Sequence, residues 1–141
     1  MGRVRLACWI AVAWLVAISP AVADPWADYV LHCQGCHGPR GEGSADGAPP
    51  FAGQLRRLAA TPTGREYLVR VPGVANAELD DERLAVLLNW LVEHFDGSAE
   101  PVRPFTSAEV ARGRREPLLS VPAARRAALA PGGRENGSDD P

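Results

Sequence analysis

Lysine is absent from this 141-residue chain, and methionine occurs once, at the initiator position. All positive side-chain charge apart from histidine therefore lies on arginine, and no internal thioether is available to bind a metal. Cysteine occurs only at 8, 33 and 36, and histidine only at 32, 37 and 94. A structural zinc site takes about four protein ligands, and no second C-x-x-C exists to complete one. No strand-rich pattern surrounds Cys33, which argues against the βαβ setting of a thioredoxin-like C-x-x-C. No apolar run reaches the ~20 residues that a membrane-spanning helix needs. Nothing in the charge pattern points to nucleic acid.

The first residues have the three-part layout of a secretory signal peptide. Arg3 and Arg5 form a basic start, Leu6 to Ile18 an apolar run, and Ala21-Val22-Ala23 a small-residue cleavage site. Cleavage after Ala23 removes residues 1–23, with Met1 and Cys8 among them. The predicted location is the periplasm, the alternative being a membrane anchor formed by an uncleaved signal. Cys33 and Cys36 are then the only cysteines of the mature chain, so no structural disulfide can form elsewhere.

Both fall in one motif, Cys33-Gln34-Gly35-Cys36-His37. C-x-x-C-H is the attachment sequence of c-type haem. Two thiols three residues apart on one helical turn can reach the two vinyl groups of a single haem. His37, next along the chain, then offers an imidazole nitrogen to the iron from one face. A Cys33–Cys36 disulfide would leave His37 unexplained. The sequence thus predicts one covalently attached haem c.

The mature chain divides near Asp96. Residues 24–96 carry the apolar periodicity, and residues 97–141 are rich in Pro, Gly, Ala, Ser and Arg. The first stretch has six arginines against eleven acids, a balance of −5; from Arg103 to Arg126 six arginines face two glutamates, a balance of +4. The basic stretch can fold back on the acidic one, meet an acidic partner, touch anionic lipid or stay solvated. Charge of this kind bears on association rather than on fold. A domain this small gains little from side-chain burial alone, and a buried haem would supply the missing core.

Asp24 is placed to cap a helix with Pro25 at its first position, and this helix leads into the motif, closed by Gly35 or Gly38. Gly/Pro-dense loops follow at 38–43 and 47–53. Two short helices are predicted over 54–60 and 63–70, and a loop over 71–77. The strongest helix runs over 80–95, capped by Asp80 or Asp81, with Leu84, Leu87, Leu88, Leu91 and Phe95 on one face. Thr106-x-x-Glu109 reads as a capping box for a thinly apolar helix over 107–115, expected to pack peripherally or not at all. The segment from Pro131 to Pro141 is expected to be disordered.

Over residues 25–96 the chain resembles a small single-haem class I cytochrome c. The resemblance rests on Tyr29 through His37-Gly38, on Gly41-x-Gly43 with Pro49-Pro50-Phe51-Ala52-Gly53, and on the amphipathic helix 80–95. It implies an all-α fold of helices packed around one haem, bonded to Cys33 and Cys36 with His37 as proximal ligand. It implies that the carbonyl of Pro50, or less favourably Pro49, accepts a bond from the other nitrogen of His37. The first helix would cross the last near Trp26, Tyr29, Leu87, Leu91 and Phe95. The family's methionine ligand belongs in the 71–77 loop, where none exists. Asn76 and His94 are the candidate distal ligands, His32 a constrained third, and an open or water-bound site is the alternative. The expected function is electron transfer between an exported dehydrogenase and a downstream acceptor, with redox partner proteins and no catalysis of its own. A small-ligand-binding haem protein is the runner-up.

Overall fold

A computed structural model describes residues 24–45, 47–97 and 101–131. The predicted signal peptide and the last ten residues lie outside them. Eight helices occur among the described residues, and no strand: α1 (Pro25–His32), α2 (Gln34–His37), α3 (Leu55–Ala59), α4 (Pro62–Arg70), α5 (Pro72–Ala75), α6 (Asp81–Phe95), α7 (Ser107–Gly113) and α8 (Val121–Leu129). The fold is small and all-α among the described residues.

The caps explain where the elements start. Asp24 accepts from the Trp26 amide at 3.0 Å, with Pro25 in the first turn. Thr61 accepts from the Gly64 amide ahead of Pro62, and Asp80 from the Arg83 amide at 2.7 Å. Each satisfies a donor that the first turn leaves without an intrahelical partner. Of the two capping candidates for the long helix, Asp80 is the one used. At the other end of α6, the Asp96 carboxylate accepts from the Gly53 and Arg56 amides, tying this end to the start of α3.

The first helix crosses α6, as the family resemblance implies. Tyr29 is fully buried there, its ring centroid 5.0 Å from that of Phe95 and 6.0 Å from that of Trp90. Its hydroxyl donates to the Gly38 carbonyl, which ties the crossing to the turn after the motif. Asp28, also buried, takes both branches of the Arg83 guanidinium at 2.8 and 2.6 Å. Neither partner stands out in the sequence, because the pair joins residues 55 positions apart.

The segment after Asp96 departs from expectation. The break near residue 96 does not divide the core: Phe105, Val110 and Ala128 lie in the same buried cluster as Leu58, Leu84 and Leu88. Thr106 does cap α7, accepting from the Glu109 amide. The Glu109 side chain, however, turns inward to Arg65, with contacts of 2.8 and 2.7 Å. Arg65 is 5 % exposed and also donates to the carbonyls of Ala59, Arg103 and Pro104. Its guanidinium carbon stands 4.0 Å from the centre of the Phe105 ring. One buried arginine thus holds α4 and the incoming extension together.

The basic extension folds back on the acidic domain. Arg114 donates to the carbonyls of Ala75, Ala77 and Leu79 and pairs with Asp81 at 3.0 Å. Arg57 donates to the Leu129 carbonyl at the end of α8.

Burial works to raise the Glu109 carboxyl, but Arg65 and Arg103 outweigh it and hold it below its ordinary value. A depressed carboxylate stabilises the fold above its unfolded value, about 4.3, and loses that contribution as pH falls through the folded value. Thermal melts should therefore show the Arg65–Glu109 contribution intact at neutral pH and lost in acid below pH ~4. A Glu109→Gln variant should show a shallower fall over the same range; a fall identical to that of the native chain would contradict the assignment.

Candidate functional site: an apolar cavity closed by thiols and an imidazole

The motif begins at Cys33, between α1 and α2, and its other four residues form α2. The Cys36 and His37 amides both donate to the Cys33 carbonyl, at 3.2 and 3.0 Å, and this tight turn brings the two thiols and the imidazole to one cavity. Cys33 and Cys36 are free thiols. Gly38 then closes α2 with a φ of 76°, a left-handed conformation that glycine adopts without penalty.

A short loop aims His37. The Gly43 amide donates to the His37 carbonyl at 2.8 Å, the Phe51 amide to the Gly41 carbonyl at 2.8 Å, and the Ser44 amide to the Ala48 carbonyl at 3.1 Å. These bonds set the carbonyl of Pro49 3.1 Å from His37 Nδ1. The partner is Pro49 rather than the favoured Pro50. The loop bonds fix the register on either side of the prolines, and Pro50 serves instead as cavity wall. With Nδ1 donating to a carbonyl, Nε2 is the nitrogen with a free lone pair, the arrangement typical of metal-bound histidine. Burial also lowers the His37 pKa, opposed by the Pro49 carbonyl, so the neutral, ligating form prevails at neutral pH. Burial pushes the Cys33 thiol up to about 11, with smaller contributions from Asp28 and Cys36.

Gly43 makes the close approach that the loop depends on. Its φ is 72°, and a Cβ there would stand 2.5 Å from the Ala48 carbonyl oxygen and 2.8 Å from the Pro49 carbonyl carbon. Gly43→Ala should cost roughly 1–3 kcal/mol through backbone strain and should displace the Pro49 carbonyl. Denaturant unfolding reads the first effect, and the His37 ring-proton resonances read the second. An unmoved resonance would show that the bond does not depend on this turn.

The cavity measures about 270 Å³. Its walls include Phe51, Leu55, Leu58, Leu68, Leu88 and Leu91, with Cys33, Cys36 and His37 at one side. Its lining is mostly apolar, so a group that fills it removes that surface from water at roughly 25 cal/mol per Å², a contribution that a small domain needs. The space and its donors fit one apolar macrocycle held by two thioethers and one imidazole.

The distal candidates lie elsewhere. Asn76 caps the end of α5 and is exposed, and His94 is exposed, stacked on Trp90 at 4.2 Å. Neither lines the cavity. The four-residue helix α5, not foreseen in the 71–77 loop, turns Val71 and Val74 toward the cavity instead. His32 does line it, beside Cys33 in the chain. Sequence reasoning missed Tyr67, Gln54 and Arg125 as lining residues. Arg125 comes from α8, and the sequence gives no signal of a helix reaching this site.

A helical shell around two free thiols and a half-buried imidazole oriented by a carbonyl is what a c-type cytochrome needs to hold its haem. No protein-family profile and no solved structure matches the chain. Two curated relatives do. Cytochrome c-552 of Thermus thermophilus is 34% identical over 113 residues, covering 65% of this chain and 86% of the relative. A cytochrome c-552 from a designated culture-collection strain of the same species shows the same identity over the same length and is covered to 76%. The chain belongs to the class I c-type cytochrome family.

Proposed function

We propose that this protein is an exported electron carrier with one haem c, bonded to Cys33 and Cys36 and ligated by His37. The reading rests on one observation: the two thiols and the His37 ring, fixed by the Pro49 carbonyl, open onto the same apolar cavity. When bound, the haem supplies a one-electron Fe(III)/Fe(II) couple. The protein's residues do the rest. Pro49 fixes the tautomer and plane of His37, and the leucine walls exclude water. The Tyr29–Phe95 crossing clamps the helix that leads into the motif. The relatives, both named cytochromes, support a carrier rather than an enzyme. The proposed setting is the periplasm, between an exported dehydrogenase and a downstream acceptor. No helix among the described residues is long and apolar enough to cross a membrane. Arg112, Arg115 and Arg126 are exposed on the extension and would meet a partner with an acidic surface.

A second reading is favoured by the lining of the cavity. Asn76 and His94 lie outside it and no internal methionine exists; apart from His32, beside the motif in the chain, the lining contributed by α4 and α5 is Tyr67, Leu68, Val71 and Val74. Such a lining would leave the iron weakly ligated or open to a small diatomic molecule. Optical spectra of the reduced holoprotein with and without carbon monoxide decide between the readings. Carbon monoxide should bind, and Asn76→Ala and His94→Ala should leave the spectra unchanged. A low-spin reduced form indifferent to carbon monoxide would exclude the open face, and loss of the covalent haem signal in the native chain would exclude both readings.

A further inference from the structure

We propose that Arg125, with Gln54, forms the anion site that receives a propionate carboxylate of the haem, so that the extension completes the cofactor pocket. The proposal rests on the reading of this cavity as a haem site.

Arg125 lies on α8, which packs against α4 and α3. Buried Ala128 and the Arg57 bond to the Leu129 carbonyl hold this helix in place. The Arg125 side chain is half-buried and lines the cavity. Among the described residues no aspartate or glutamate lines the cavity with it, and its hydrogen bond there is to the Oε1 of Gln54, a neutral acceptor. A guanidinium at the edge of an apolar space without a counter-ion is costly. A haem carries two carboxylates at one edge of an otherwise apolar ring, which supplies both the filling and the missing charge. The fork geometry of a guanidinium suits a carboxylate. Because Gln54 accepts through Oε1, its amide NH₂ remains to donate to the same anion. Elsewhere Arg103 and Arg114 of the extension are already paired, with Glu109 and Asp81 respectively.

A positive charge beside the propionate stabilises the reduced form, which carries one more electron. Removing it should lower the reduction potential. The test measures the potential of the full-length holoprotein by optical redox titration in four variants. Arg125→Gln should raise the ratio of oxidised to reduced protein about tenfold at fixed ambient potential, a shift of about 59 mV for one electron. Arg125→Lys keeps the charge but not the fork and should recover most of it. Arg126→Gln removes an equal charge from the exposed neighbouring position and should change the ratio by less than about twofold. Arg57→Gln releases the tie at Leu129 while leaving Arg125, and so reports loosening alone.

A potential for Arg125→Gln equal to that of Arg126→Gln would overturn the proposal while leaving the haem reading in place. So would an equal shift from Arg57→Gln, which would trace the effect to loosening. An unchanged potential with altered carbon monoxide binding would put the guanidinium on the ligand face and likewise overturn it. Absence of covalent haem from the native chain, read by haem stain on a denaturing gel, would overturn both readings.

Discussion

A Cys33→Ser, Cys36→Ser double variant is expected to show no haem stain on a denaturing gel and to lose most of its cooperative melting transition. The two results have different causes. The first follows from the thioethers themselves. The second follows from the cavity: about 270 Å³ of space lined by leucines and Phe51 is tolerable when filled. Left unfilled, its apolar lining stays in contact with water and the helices around it lose their common packing partner. Helices α1 to α5 have between four and nine residues, and isolated helices shorter than ~12 residues are marginal in water. They depend on packing around the centre. Retention of a native-like melt in the double variant, with no haem bound, would show that the protein shell is self-sufficient and would remove the cofactor from the stability argument.

The second large effect is expected from Arg65→Met. This substitution keeps much of the side-chain volume but leaves the half-buried Glu109 carboxylate without its main partner. The carbonyls of Ala59, Arg103 and Pro104 lose their donor as well. Breaking a buried ion pair from one side typically costs about 3–5 kcal/mol, more than the pair itself contributes. Urea unfolding should show a loss of that size, and hydrogen exchange should show α7 and α8 opening ahead of α6. A loss under about 1 kcal/mol would mean that the pair behaves as a surface salt bridge and that the extension is held by its apolar contacts alone.

These two sites also mark what the sequence could and could not disclose. Cys33, Cys36 and His37 were legible as a group because they are neighbours in the chain, and the structure sets all three on one cavity. Helix α6 was legible because its leucines repeat at helical spacing and Asp80 marks its start. Arg65 was not, because its partners come from residues 38 to 44 positions further along. The extension was read as loosely attached for a related reason. Its fully buried contacts to the core are single residues, Phe105, Val110 and Ala128, with Val102, Leu118 and Leu129 among the partly buried ones, and α8 is largely alanine and arginine, which gives no strong apolar stripe. The choice between Pro49 and Pro50 turned on one residue of register, set by backbone bonds around Gly43. Of the distal candidates His32 lines the cavity, whereas the α5 turn faces Val71 and Val74 inward in place of Asn76, and His94 stacks on Trp90 outside it.

The absence of lysine acquires a consequence once the clips are located. The extension is tied to the core by guanidinium donors from Arg57, Arg65, Arg70, Arg114 and Arg125, with one pair of neutral amide bonds between Asn89 and Phe105 beside them. An ammonium in these positions would be a single point donor, whereas a guanidinium presents five N–H groups in a planar fork, which is how Arg65 and Arg114 each serve several carbonyls at once. With no lysine in the sequence, amine-directed acylation finds no ε-amino group to modify and leaves the guanidinium ties untouched.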